Sequence, residues 1–261
     1  MNKIESKENV KVKLLQKLKL KKYREEFNQS VVEGLRVVLQ VIDYGKEPQM
    51  IFFEENYFSS DANCKALYEK YPDKSYMLPE KLFSNISDTI NPQGILAVFE
   101  KPKSNLEEVL GASFCRMILL DGIQDPGNVG TIIRTAESAG FDAIFYTKGT
   151  VDIFSEKVNR ASMGANFYLP IMPLSTSEME YIKSKGIKIF CTMLDKQSKD
   201  YSKVDYGCKY MIALGNEANG IQVEIANLAA EKIHIPMRGR AESLNVAVAG
   251  GIVMYKSLEN R

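Results

Sequence analysis

Three short stretches in the second half of the chain bring together residue types that can hold a small polar ligand and act on an anionic one. They are Asp125-Pro126-Gly127-Asn128-Val129-Gly130-Thr131-Ile132-Ile133-Arg134, Leu214-Gly215-Asn216-Glu217-Ala218-Asn219-Gly220-Ile221, and Ile235-Pro236-Met237 followed by Ser243-Leu244-Asn245-Val246-Ala247. Each sits where an apolar, strand-like run gives way to Gly, Asn and Pro, so backbone groups are exposed at a turn. Arg134 can grip a phosphate with its planar fork. Gly215 lets the backbone come close to a ligand, and Glu217 can pair with Arg134 or touch the substrate. Free amides where a helix starts at Ser243 or Asn245 make an anion or ligand site. Each feature also has a plainer reading. Arg134 can sit in an ion pair with Glu137 or Asp142, Glu217 in a polar turn, and Ser243 can be an ordinary N-cap. Asn128 falls at or just before the N-cap of its helix.

Other chemistries are excluded by what is missing. The 17 glycines contain no G-x-G pair, which removes the dinucleotide fingerprint and the glycine-rich loop of doubly wound methyltransferases. There is no phosphate-loop motif. His234 is the single histidine. It faces away from Ile233 and Ile235 on its strand and reads as an ordinary strand residue, so a histidine triad or multi-histidine metal site has no basis. Cys64, Cys115, Cys191 and Cys208 show no C-x-x-C spacing, which gives no zinc or redox motif and suits reduced thiols in the cytoplasm. No metal and no membrane partner are expected. The apolar run Val246 to Tyr255 is too short to span a bilayer.

The elements that must position these stretches follow from periodicity. In the first third, Val12, Leu15, Leu18 and Leu20 give a helix among lysines. Val31–Ile42 predicts a second amphipathic helix. Strands are expected at Met50–Phe53, Ser75–Leu78 and Ile95–Phe99, with helices around Cys64–Tyr71 and Pro79–Ile90. Lys101 to Asn105 is polar and carries proline, and makes the linker between a unit 1–105 and a unit 106–261. Beyond it, strands at Phe114–Leu120, Ala143–Tyr146, Ile187–Met193, Met211–Leu214 and Lys232–Ile235 alternate with helices. The helices are Thr131–Ala139, one opened by a Ser177/Glu180 capping box, and Ser243–Ser257. Apolar strands alternating with helices predict a mostly parallel α/β sheet with helices on both faces.

The chain has 45% apolar and 26% charged residues, with a net charge of +1. The charge is uneven. Residues 1–26 carry nine Lys or Arg against four acids. This basic arm either contacts phosphate or forms a solvated helix face.

Taken together, the three stretches resemble the motifs of the SpoU/TrmH family of RNA ribose methyltransferases, in family order, over residues 112–261. The stretch Arg160-Ala161-Ser162-Met163-Gly164-Ala165 also looks like that family. The resemblance implies a knotted (trefoil) α/β fold, of a kind rare among proteins, in which the chain near the second and third motifs passes through a loop. It implies S-adenosylmethionine as methyl donor, contacted at Leu214, Gly215, Ile235, Met237 and Leu244. It implies Arg134, Asn128, Glu217, Ser243 and Asn245 as the catalytic set, and a homodimer with each active site near the interface. The small residues Ala247, Ala249, Gly250 and Gly251 would let a second helix approach closely. The first third resembles an L30e-like RNA substrate-binding domain, through Lys17 to Arg24 and Val32-Glu33-Gly34. Lys17, Lys19, Lys21, Lys22, Arg24 and Arg160 are then the expected RNA contacts. Ala218-Asn219 and Ala247 depart from the usual family residues.

The implied reaction methylates a ribose 2′-hydroxyl, in ribosomal RNA rather than transfer RNA because of the ribosomal-protein-like first unit. A ribose hydroxyl is a poor nucleophile. Arginine stays protonated at neutral pH, so Arg134 reads better as a cation that stabilises the developing alkoxide than as a base. The competing readings are a non-catalytic RNA-binding or ribosome-associated protein on the same fold, and a transfer-RNA methyltransferase.

Overall fold

The structure, a computed structural model, describes residues 2–89, 91–112 and 115–259. Ile90 and Phe114, which bound two of the expected elements, lie outside them. The chain forms two compact units, one from Met1–Pro102 with Phe154–Tyr168 and one from Lys103–Ile153 with Leu169–Arg261.

The first unit holds a mixed five-stranded sheet. Its strands are β1 (Asn2–Lys3), β2 (Gln29–Glu33), β3 (Pro48–Glu54), β4 (Ser75–Leu78) and β5 (Ile95–Glu100), in the order β1-β4-β3-β5-β2. Val12, Leu15 and Leu18 of the helix Val10–Leu18 recur at helical spacing and pack with Val31, Phe52, Phe83 and Val98. The helix expected over Val31–Ile42 is two elements. Val31 and Val32 pair with Val98 and Ala97 in a buried ladder, and the helix runs only over Leu35–Asp43. Gly34, at φ 99°, makes the break. Although β2 is the last strand of its sheet, Val31 and Val32 are buried there, and a buried strand suits β-branched valines better than the helix their spacing also permits.

The segment Phe154–Tyr168 enters this first unit, which a division at residue 105 does not provide for. Asn159 Nδ2 donates to Ser30 Oγ at 2.9 Å and to the Val31 carbonyl at 2.7 Å. Asn166 Nδ2 in turn donates to Asn159 Oδ1 at 2.7 Å. A Cβ on Gly164 would lie 2.5 Å from Val41 Cγ2. The Arg160–Ala165 stretch therefore closes the packing of this unit.

The second unit is a seven-stranded, all-parallel sheet. Its strands are β6 (Cys115–Asp121), β7 (Ala143–Tyr146), β8 (Ile171–Pro173), β9 (Lys188–Thr192), β10 (Lys199–Asp200), β11 (Lys209–Gly215) and β12 (Glu231–His234), in the order β10-β12-β9-β11-β6-β7-β8. Ile118, Leu119, Leu120, Met211, Ile212 and Ala213 are fully buried, because helices cover both faces. β8 and β10 are not legible in the sequence: they hold three and two residues, too few for periodicity to register.

Three helix starts differ from expectation. The helix Pro126–Ser138 begins five residues earlier, with Asp125 as N-cap and Pro126 in its first turn. Proline suits that place because its missing N–H has no helical partner there. The capping box is Ser175/Glu178, not Ser177/Glu180; both pairs have the spacing, and only the docked helix chooses. The last helix is Val246–Ser257, capped by Asn245. Cys64, Cys115 and Cys191 are buried, and burial pushes the thiols of Cys64 and Cys191 up to about 12. Among the described residues no helix is long and apolar enough to cross a membrane.

Candidate active site

The three motifs meet in the second unit, and hydrogen bonds show how. Asp125 Oδ1 caps the first motif's helix by accepting from the Asn128 N–H at 2.8 Å. The Asn128 side chain is thereby left for other partners, which an N-cap would not be. Its Nδ2 donates to Glu217 Oε1 at 2.6 Å, and its Oδ1 accepts from Asn245 Nδ2 at 2.9 Å. Asn245 Oδ1 accepts from the N–H groups of Ala247 and Val248 at 3.0 and 3.3 Å. Both ends of each amide are thus committed, and both side chains are oriented. This chain joins residues 89 and 117 positions apart in sequence.

The second motif is an Asn216-centred turn. Asn216 Oδ1 accepts from the N–H of Ala218 and Asn219, and Asn216 Nδ2 donates to the Gly122 carbonyl at 2.8 Å. Asn216 and Gly220 also exchange backbone hydrogen bonds at 3.0 and 2.8 Å. Gly215 is required by this closure rather than by an approaching ligand. A Cβ there would stand 2.5 Å from the Gly220 carbonyl carbon and 2.6 Å from the Ile221 nitrogen.

A cavity of about 470 Å³ opens across the carboxyl ends of β9, β11 and β12. That volume falls in the usual range for small-molecule sites, roughly 300–1,000 Å³. Of the residues expected to touch the methyl donor, Gly215, Ile235, Met237 and Leu244 line it, and Glu217 and Ser243 stand at its wall beside them. Leu214 does not line it. It is 1% exposed and lies beneath, its side chain against Gly250. The N–H groups of Ile235, Met237 and Leu244 donate to no protein acceptor among the described residues. An apolar pocket fringed by spare backbone donors fits a ligand with an apolar ring body and polar edges, as S-adenosylmethionine has.

Thr192, Met193, Leu194 and His234 also line the cavity, and sequence reasoning missed them. Thr192 ends a parallel strand, the place where ligands bind in open α/β sheets; that signal could have found it. His234 Nδ1 lies 2.9 Å from Ser198 Oγ.

Arg134 is exposed and makes no ion pair or hydrogen bond among the described residues. The plainer reading of it is thus absent. Asp142 instead accepts from the Arg116 N–H at 2.7 Å. Nor does Arg134 line the cavity of its own chain.

The expected RNA contacts divide. Lys17, Lys21 and Lys22 are exposed. Lys19 is half-buried and reaches the Ser87 carbonyl at 3.4 Å. Arg24 is a correction: it is 5% exposed, and its guanidinium donates to the Leu18 carbonyl at 2.6 Å. A cation placed to cap a helix C-terminus and buried there cannot reach a phosphate. Arg160 is occupied as well, lying 3.7 Å from the buried Glu33 carboxylate and 3.4 Å from Asp88.

The fold and cavity define an α/β domain that binds a small ligand over the carboxyl ends of parallel strands. The chain belongs to the SpoU rRNA Methylase family, which matches residues 116–255, and an MRM3-like substrate binding domain matches residues 9–97. It is 34% identical over 257 residues to the 23S rRNA (guanosine(2553)-2'-O)-methyltransferase RlmP of Bacillus subtilis, covering 98% of both chains. It is 27% identical to the mitochondrial rRNA methyltransferase 3A of Danio rerio, over 90% of this chain and 64% of that one. Among solved structures, an AdoMet-bound rRNA methyltransferase from Sinorhizobium meliloti is similar at 32% identity with a TM-score of 0.86, covering 99% of this chain and 97% of the other. An RNA 2'-O ribose methyltransferase is similar at 27% identity and a TM-score of 0.84, covering 99% and 98%.

Proposed function

We propose that this chain transfers a methyl group from S-adenosylmethionine to a ribose 2′-hydroxyl of ribosomal RNA, in the large subunit by analogy with its Bacillus subtilis relative. The observation that carries this is the hydrogen-bonded line Glu217–Asn128–Asn245 beside a cavity rimmed by unused backbone donors, in a chain of this family.

The donor supplies an electrophilic methyl group when bound. Ile235, Met237 and Leu244 would hold it through their spare N–H groups, and Gly215 would keep the floor of the pocket in shape. Glu217, Asn128, Ser243 and Asn245 would orient the ribose and its phosphate. Holding both reactants in line can remove roughly 7–11 kcal/mol of barrier. Arg134, a cation with no internal partner among the described residues, would stabilise the oxygen as it loses its proton.

Because Arg134 stands outside its own cavity, we read the active unit as a homodimer with the reaction near the interface. Val248, Ile252 and Tyr255 support this reading. They follow one another at i, i+4 and i+7 on the last helix, with Val248 52% and Tyr255 53% exposed. The small residues of this helix are used inside the chain instead, Gly250 against Leu214 and Gly251 near Thr135. The path also supports a knot. From β11 the chain runs out to β12 beyond β9, then returns to lay helix Val246–Ser257 against β11 and helix Pro126–Ser138. A cytoplasmic or organellar matrix location suits ribosomal RNA as substrate.

The test is labelled S-adenosylmethionine with total RNA, followed by nuclease mapping of the label. Label in ribose of ribosomal RNA is expected. Arg134→Ala should lower single-turnover methyl transfer at least a hundredfold while calorimetric affinity for S-adenosylmethionine stays within about twofold, as for removal of an oxyanion-stabilising donor. Label on a base, or an equal fall in binding and transfer, would overturn the reading.

A further inference from the structure

The turn between the first two helices carries an exposed arrangement that packing does not explain. Tyr23 and Phe27 are one helical turn apart, and their rings lie nearly parallel, with centroids 6.0 Å apart and an interplanar angle of 14°. Lys17 Nζ stands 5.4 Å from the Tyr23 centroid and 5.9 Å from that of Phe27. Lys22 Nζ is 5.7 Å from the Tyr23 centroid. Leu20 beside them is 59% exposed and Phe27 36%. Elsewhere in the unit Phe52, Phe53, Phe83 and Phe99 are fully buried. These two helices send Val12, Leu15, Leu18 and Arg24 inward, so Leu20, Tyr23 and Phe27 are not core residues. The buried hydrogen bond from Arg24 to the Leu18 carbonyl holds the turn in shape.

Aromatic faces set among ammonium groups match one chemistry well. A nucleobase stacks on the ring face, while lysines meet the phosphates on either side. A duplex hides its base faces, so the fit is to an unpaired nucleotide. To admit a base, the lysines over the rings would have to move from ring face to phosphate. Resting on the reading of the chain as an enzyme of RNA, we propose that Tyr23 and Phe27, flanked by Lys17 and Lys22, form a stacking platform for an unpaired nucleotide of the RNA substrate.

The test titrates the full chain with fluorescein-labelled oligoadenylate and with a mixed-sequence RNA duplex over a range of salt. Phe27→Leu and Tyr23→Leu should each weaken oligoadenylate binding about tenfold or more without changing its salt dependence. Phe27→Tyr and Tyr23→Phe keep a ring and should bind as the unaltered chain does. The double variant Lys17→Ala/Lys22→Ala should instead flatten the log–log salt slope by about 1.4, near 0.7 for each single-strand phosphate that goes without a lysine. Tyr23 is half-buried, so the exposed Phe27 decides if Tyr23→Leu melts early. Phe27→Leu binding oligoadenylate as tightly as the unaltered chain, or weakening on the duplex to the same degree, would overturn the proposal. Methyl transfer to total RNA is read separately. Its absence in the unaltered chain would remove the enzymatic reading and leave the stacking result standing.

Discussion

Asn128 is the residue on which the site's geometry turns. Both ends of its amide are used, one toward Glu217 and the other toward Asn245. Asn128→Asp keeps the shape but faces Glu217 with a second carboxylate, so a donor contact becomes a repulsion. Breaking a hydrogen bond to a charged group costs about 1.5–3 kcal/mol. We therefore expect kcat to fall about ten- to a hundredfold in steady-state assays, with donor affinity changed far less. Glu156 makes a second prediction at this scale, in the first unit. Burial, and next the nearby Asp88 carboxylate, raise its pKa from 4.5 to about 7. A raised carboxyl favours the folded state while protonated, and that advantage fades as pH climbs from 4.5 through 7. Glu156→Gln should match the unaltered chain near pH 4.5 and be more stable at pH 8, by about 3 kcal/mol. Denaturant melts at the two pH values measure this; equal curves at pH 8 would refute it.

Among elements, the turn after β11 matters most. A Cβ on Gly215 would meet the backbone of Gly220 and Ile221, where no flexible side chain can yield. Gly215→Ala should force the Asn216–Gly220 bridge open, at about 1–3 kcal/mol of stability. Donor affinity should fall at least tenfold by calorimetry, since the turn is one wall of the cavity. Long apolar strands are legible in the sequence because burial on both faces leaves continuous runs such as Met117–Leu120. The Val31–Val32 strand is not, since the same residues also satisfy a helical period and only their pairing with β5 decides between the two. Likewise, Asn128 has the residue type of an N-cap, but Asp125 takes that place.

At the level of the whole molecule, the exposed stripe of the last helix sets the expectation of a dimer. Val248→Asp with Tyr255→Asp places two charges on it, and burying an unpaired charge is strongly unfavourable. Sedimentation should show the unaltered chain as a dimer and the double variant as a monomer that still melts cooperatively. A monomeric unaltered chain would remove the dimer, and with it the account of how Arg134 reaches a substrate.

The residue order by itself determined the chemical vocabulary: which strands are buried, which turns hold Gly, Asn and Pro, and which families of cofactor have no motif here. Asn128, Arg134, Glu217, Ser243 and Asn245 could be chosen because their types and flanking turns are local properties. Folding alone decided what they touch. The link from Asn128 to Glu217 and Asn245, the burial of Arg24, the capture of Arg160 by Glu33, and the docking of Phe154–Tyr168 in the first unit all depend on how the chain closes on itself. Periodicity reports only which side of an element faces inward. It carries no record of the partner waiting there, and that partner determines whether a cation is free for a substrate or spent on the fold.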